Sequence, residues 1–271
     1  MKRIILIVLL VAACVGAGVC AYEIMGRAQR SRVYEALKTD AVAAAETITA
    51  PMLETAKDFT PAVPSGPAQI PEPVPTAPPY VSPIDFSYLW SIDPYIFAWI
   101  TIEGTNIDYP IAKHPTDDSY YLFHTIEGYS GYPGAIYAFG YTAADFSQFN
   151  TIVYGHNMAS GTMFADLNRY QDRSYMDAHR TVKIYTPDAE YSYTAFAFVY
   201  YDDRLIDTWY DQRVEADRQE YLDSLDDLGS SRTYVLDDVE VGTDSHILTL
   251  ATCHNVSTER TLLVAVREDE E

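Results

Sequence analysis

The sequence predicts a mainly β domain, a barrel or sandwich with inserted helices, standing behind an N-terminal apolar span and a proline-rich stalk. Three observations lead there. Residues 84–271 break into short runs rich in β-branched and aromatic residues, with turn formers between most of them. Pro61 to Pro83 holds nine prolines in 23 positions, a density that neither a helix nor a central strand tolerates. Ile4 to Tyr22 is an uninterrupted uncharged run, long enough at about 28 Å of helix to match a bilayer's hydrocarbon core.

Taken in order, the apolar run reads as a membrane anchor, weighed against a cleaved signal peptide, a lipoprotein signal at Cys14 and a buried core helix. Its length exceeds the usual signal core, and Cys14 is followed by more apolar sequence, so an uncleaved anchor over residues 1–26 is expected, with residues 4–25 in contact with the membrane. Lys2 and Arg3 before the run are matched by Arg27, Arg30 and Arg32 after it, so charge does not orient it. Ser31 to Ala50 is rich in helix formers and is expected to be a juxtamembrane helix. The proline-rich stretch follows as an extended spacer, about 70 Å long if polyproline II, closing a linker over residues 27–83.

The remaining residues, 84–271, form the expected globular domain. Phe86, Leu89, Trp90, Tyr95, Phe97 and Trp99 are spaced as a short packed helix running into a first strand. Strands are expected at Ala98–Ile102, Ile107–Pro110, Ala135–Phe139, Asn150–Tyr154, Thr181–Thr186, Tyr191–Tyr201, His246–Ala251 and Thr261–Arg267. Two helical inserts are expected, Thr162–Tyr170 and Asp211–Leu228. The second has an imperfect apolar face of Val214, Tyr221, Leu222, Leu225 and Leu228.

The chain's formal charge of −21 is unevenly placed: residues 1–83 carry seven Lys/Arg and seven Asp/Glu, leaving 11 against 32 on residues 84–271. Such a surface repels phosphate backbones and excludes nucleic acid as a partner. Of the three cysteines, Cys14 and Cys20 lie in the apolar run, so Cys253 is the acidic domain's one thiol and no disulfide can form within it. HExxH, paired CxxC, GxSxG and Walker sequences are missing, and no metal or cofactor is expected.

Cys253 ends an apolar β run, a place where a rigid element can hold a nucleophile. A thiol with an ordinary pKa of about 8.5 needs a base or cation beside it. His156 follows the strand Asn150–Tyr154, with Gly155 expected to let the backbone turn the imidazole into a cleft. His254 adjoins Cys253 but faces away if strand alternation continues. Arg260 opens the next strand, so a hairpin would bring it beside Cys253, where a guanidinium can stabilise an oxyanion. Each has a plain rival: a buried thiol, a structural histidine, and a surface arginine paired with Glu259 or another carboxylate.

Four segments resemble the class B sortases: WITIEGTNIDYP from Trp99, SYYLFH from Ser119, NTIVYGHNMASGTMFADL from Asn150, and LTLATCHNVSTERTLLVAVR from Leu248. The resemblance implies a sortase-like eight-stranded β-barrel on the outer face of a Gram-positive cell membrane. It implies a transpeptidase with Cys253 as nucleophile, His156 as proton carrier and Arg260 as oxyanion or substrate anchor, and with Thr252, Asn157 and Tyr154 near the substrate. The implied partners are sorting-signal-bearing surface or pilin proteins and an amine of peptidoglycan or pilin; the domain itself is expected to be monomeric. A cell-envelope cysteine hydrolase and an inactive stalked binding domain remain as alternatives. The sequence departs from the family after Tyr137, where Ala138-Phe139-Gly140-Tyr141 opens an aromatic-rich loop to Phe149.

Overall fold

The computed structural model describes residues 36–42, 80–226, 233–253 and 259–268. The apolar run, the proline-rich stretch up to residue 79, His254 and the segment joining Cys253 to Glu259 lie outside them. Among the described residues no helix is long and apolar enough to cross a membrane.

Among the described residues nine strands make one sheet: β1 (Ile96–Ile102), β2 (Asp108–Ala112), β3 (Ile136–Tyr137), β4 (Asn150–Gly155), β5 (Thr181–Tyr185), β6 (Glu190–Asp202), β7 (Tyr234–Val235), β8 (Ile247–Cys253) and β9 (Glu259–Arg267). Their order is β5-β1-β2-β3-β4-β8-β9-β6-β7, and β5 also pairs with β6, which closes an eight-stranded barrel and leaves β7 appended to it. Closure depends on the 13 residues of β6. Its first part pairs with β5 and its later part with β7, while β9 pairs along Tyr193–Asp202 with a register shift between Ala195 and Ala197. Such a shift bends a strand and increases its twist, as closing a small barrel requires. The core is apolar, with Trp99, Ile100, Phe146, Phe164, Phe198, Leu250 and Leu263 all at most 2% exposed.

The expected strands are present with shifted ends, except that Ala135–Phe139 shrinks to the two residues of β3. Ala138 there turns its N–H to Ala112 O at 3.0 Å, and the next bonds are made by the loop. β7 is also two residues long, too short for its periodicity to register in sequence.

Helices differ more. α2 (Phe86–Ile92) is as expected and is capped by Asp85, whose carboxylate accepts from Tyr88 N. The Thr162–Tyr170 insert is instead a 3-10 helix at Ala165–Gln171 followed by α4 (Arg173–Ala178). Thr162 and Met163 belong to a turn, with Met163 at φ 57° and bridged to Asn157. α6 covers Glu215–Asp226, four residues later than expected at its start. Asp211 holds the preceding turn by accepting from Arg213 N, so Val214 stays 44% exposed while Tyr221 and Leu225 are buried. α3 (Tyr120–Phe123) and α5 (Ile206–Trp209) are single turns that carry no helical period in sequence.

α1, residues 36–42, does not stand apart from the barrel. Leu37 is 5% and Ala41 0% exposed in the shared core. Ala41 O accepts from Asp85 N at 3.1 Å, Tyr88 Oη donates to Asp40 at 3.2 Å, and Lys38 pairs with Asp108, which also accepts from Trp99 Nε1 at 2.7 Å. The expected juxtamembrane helix is, over these residues, part of the domain's packing.

Candidate active site

Three neighbouring strands end at one edge of the barrel. β4 runs parallel to β8 with Gly155 opposite Thr252, and β8 runs antiparallel to β9 with Cys253 opposite Arg260. His156 is the next residue after Gly155 and so falls level with Cys253. Because paired strands lie about 4.8 Å apart, the backbones of His156, Cys253 and Arg260 form one row about 10 Å across. The row continues into β6, where Tyr201 is opposite Arg260. The hairpin expected to bring Arg260 beside Cys253 is therefore present in its register.

Gly155 does a different job from the one expected. It remains in β4, and a Cβ there would lie 2.5 Å from Ile136 Cδ1 and 2.8 Å from Phe164 Cδ2. Glycine is required by close packing beneath the histidine, not by a turn.

The imidazole of His156 is held from outside the row. Its Nε2 lies 2.8 Å from Leu122 O, and Tyr132 meets it edge to face at 4.8 Å between ring centroids. A carbonyl oxygen only accepts, so Nε2 carries a proton in this arrangement, and Nδ1 is the nitrogen left for proton exchange. Leu122 lies in the SYYLFH segment, which the sequence distinguished only by resemblance. A backbone carbonyl has no residue signature, so nothing in the sequence named it.

Arg260 is partly buried, and its Nη1 reaches only Glu259 O, at 3.5 Å. Among the described residues no carboxylate forms an ion pair with it. The competing reading, an arginine engaged by Glu259's carboxylate, is not what this geometry gives.

The three residues expected near the substrate differ from one another. Thr252 is 2% exposed, with Oγ1 enclosed and without a hydrogen-bond partner, so its side chain offers no surface to a ligand. Asn157 is half-buried and bridged to Met163, fixing the loop after His156. Tyr154 is stacked by Phe139 at 5.0 Å and Tyr137 at 5.6 Å, and its hydroxyl donates to Asp207 Oδ2 at 2.7 Å. Burial, and then the neighbouring Asp207, push the Tyr154 phenol well above its usual range. It is a neutral donor at any working pH.

Exposed apolar side chains stand on the segments that flank the row. Phe123 and Tyr132 are each 50% exposed on the Leu122 side, and Leu205 (48%) and Trp209 (59%) on the α5 side. Tyr201 anchors α5's base, bonding Tyr210 Oη at 3.0 Å and Ser224 Oγ at 2.9 Å. A thiol, an imidazole and a guanidinium carried on neighbouring strand ends are groups of the kind that acyl transfer requires.

The chain is similar to known proteins. The sortase domain family matches residues 100–268. Sortase B of Listeria monocytogenes serovar 1/2a is 34% identical over 156 residues, which is 58% of this chain and 61% of that protein's length. Sortase B of Staphylococcus aureus is 28% identical over 181 residues, 67% of this chain and 72% of that protein. The crystal structure of Clostridium perfringens sortase B superposes with a TM-score of 0.60 at 26% identity, covering 68% of this chain and all of that one. Since the family spans more than half of the residues and the relatives compared are sortases B, the chain belongs to the sortase family, in its class B branch.

Proposed function

We propose that this protein is a membrane-tethered cysteine transpeptidase that cleaves a sorting signal near a surface protein's C-terminus and passes the acyl group to an amine of peptidoglycan or pilin. The observation that carries the reading is the strand-end row of His156, Cys253 and Arg260. The Cys253 thiolate adds to the scissile carbonyl, and the C–N bond breaks as His156 gives its Nδ1 proton to the leaving amine. A thioester remains. The incoming amine then adds to that carbonyl, returns a proton to His156, and expels the thiolate, so that one amide is lost and one is made. Arg260, without a carboxylate partner among the described residues, supplies positive charge to the tetrahedral oxyanion at each stage. Residues 4–25 tether the chain, with the catalytic domain on the extracellular face.

The test uses the purified protein with a quenched-fluorescent peptide library that has threonine fixed at the scissile position, with and without triglycine as acceptor. Mass spectrometry should find an acyl adduct on Cys253 and, with triglycine, a new amide in preference to free acid. Acid alone would make the protein a hydrolase, and an absence of any Cys253 adduct would leave a binding domain.

A further inference from the structure

α5 follows the end of β6, where Tyr201 stands opposite Arg260, and it carries the exposed Leu205 and Trp209; the Arg204 guanidinium lies over the rings of both Tyr201 and Trp209, at 5.4 and 4.8 Å. Within the turn Thr208 bonds only to Leu205 O, at 3.0 Å. Asp207 reaches out. Its Oδ2 accepts from Tyr154 Oη at 2.7 Å, and the Tyr141 hydroxyl also bonds to its carboxylate. Tyr154 lies two residues before His156 on β4, and Tyr141 lies in the aromatic loop that departs from the family pattern. One carboxylate thus joins three segments: α5, the strand that delivers His156, and the loop after β3.

The join borders a cavity of about 440 Å³, lined by Tyr141, Gln148, Asp207, Tyr210 and Gln212 among others. Gln148 and Gln212 are committed to backbone: their side-chain oxygens accept from Ala143 N and Asn150 N, each at 2.9 Å. Ile206 and Tyr210 root α5 in the core, and the carboxylate adds a side-chain tie from the middle of the turn to β4 and to the loop after β3. Buried charge-assisted bonds of this kind are the stronger class of hydrogen bond.

We propose that Asp207 is a positioning residue for peptide capture: by joining α5 to Tyr154 and Tyr141 it holds the Leu205–Trp209 lip at the cleft beside the His156–Cys253–Arg260 row. It touches neither the nucleophile nor the proton carrier. Its loss therefore frees the lip and raises KM, while the intrinsic reactivity of the thiol stays in place. The assignment rests on the transpeptidase reading for its consequence but not for its geometry, and the experiment separates the two.

Asp207→Ala, Asp207→Asn and Tyr154→Phe are made in the full chain carrying Cys14→Ser and Cys20→Ser, so that Cys253 is its one thiol. Three measurements follow: the alkylation rate of Cys253 by iodoacetamide, KM and kcat for the best-cleaved peptide of the fixed-threonine library, and the rate of proteolytic nicking between Leu205 and Asp211. Asp207→Ala and Tyr154→Phe should raise KM about tenfold, the value of one hydrogen bond to a charged group, with kcat and alkylation within about twofold of the parent. Asp207→Asn keeps one acceptor oxygen and should recover most of the loss. Nicking should accelerate in Asp207→Ala and Tyr154→Phe and stay near the parent rate in Asp207→Asn. An unchanged KM with unchanged nicking overturns the proposal, as does a parallel fall in alkylation, which would place Asp207 in the chemistry or the fold. If the parent turns over no peptide, faster nicking still sustains the latch while the transpeptidase reading fails.

Discussion

The two halves of the active site are built in opposite ways. On one side Cys253, Arg260 and the root of His156 sit on β4, β8 and β9, three adjacent strands whose register runs unbroken over six or seven residues per pair. On the other side the imidazole is oriented by Leu122 O and Tyr132, from a segment whose only regular pieces are the four residues of α3 and the two of β3. The first half is fixed by repeated backbone bonds, each sharing strain with its neighbours. The second half depends on single contacts and on ring stacking, such as Tyr120 against His124 at 4.2 Å and against His114 at 4.6 Å. Change on the ladder side should therefore act on chemistry, and change on the loop side on alignment.

The largest expected effect breaks the chemistry outright. Cys253→Ala should remove the acyl adduct and all peptide turnover while leaving the unfolding midpoint within about 2 °C of the parent, measured by mass spectrometry and thermal melt. Turnover by that variant would end the assignment of the nucleophile.

Next come the two residues flanking it. His156→Ala should lower kcat/KM by about 10²–10⁴-fold and Arg260→Ala by about 10²–10³-fold. Size does not separate them, but chemistry does. Arg260→Lys keeps a cation and loses the planar fork; it should stay strongly impaired if geometry governs, whereas near-parental rates would reduce Arg260 to a long-range charge.

Gly155→Ala probes the contact between the two halves, because the added methyl meets Ile136 of β3 and Phe164 at less than 3 Å. Overpacking of this kind costs about 1–3 kcal/mol. We expect a lower melting temperature together with a fall in kcat as His156 shifts. A lower melting temperature with unchanged kcat would mean that the ring's loop contacts alone set its position.

Leu37→Asp tests a region remote from the site. Leu37 is buried against the barrel, so an aspartate there should cost about 2–4 kcal/mol and lower the melting temperature by roughly 5–10 °C, with kcat/KM below the melt unchanged. An unaltered melt would mean that α1 contributes tethering only and that residues 84–271 stand alone, as the composition suggested.

The smallest effect concerns Asp207, whose carboxyl is raised above the usual carboxylate range, first by burial, with the Tyr154 and Tyr141 hydroxyls opposing. A raised folded-state value favours the protonated acid, so ionised Asp207 costs stability above that value and the cost disappears below the unfolded value of about 3.9. Asp207→Asn should therefore melt about 1–2 °C higher at neutral pH, with the difference closing as the pH falls below about 4. A neutral-pH melt lower than the parent's would show that the tyrosine bonds outweigh the desolvation.

The sequence by itself determined the barrel's long strands and the positions that line up at its edge. Apolar β runs such as Ile247–Cys253 and Leu262–Val266 are self-announcing, since burial on both faces leaves little else they could be, and the six residues between Cys253 and Arg260 suit a hairpin, which the structure shows. It did not determine the short elements, because one turn of helix or two residues of strand carry no period. Nor could it show why Gly155 is glycine, which oxygen holds His156, where Asp207 points, or that residues 36–42 pack into the core. Each of these is a contact between segments distant in sequence, decided by how the closed barrel brings them together. His156 and Leu122 are 34 residues apart, Tyr154 and Asp207 are 53, and only the fold makes them neighbours.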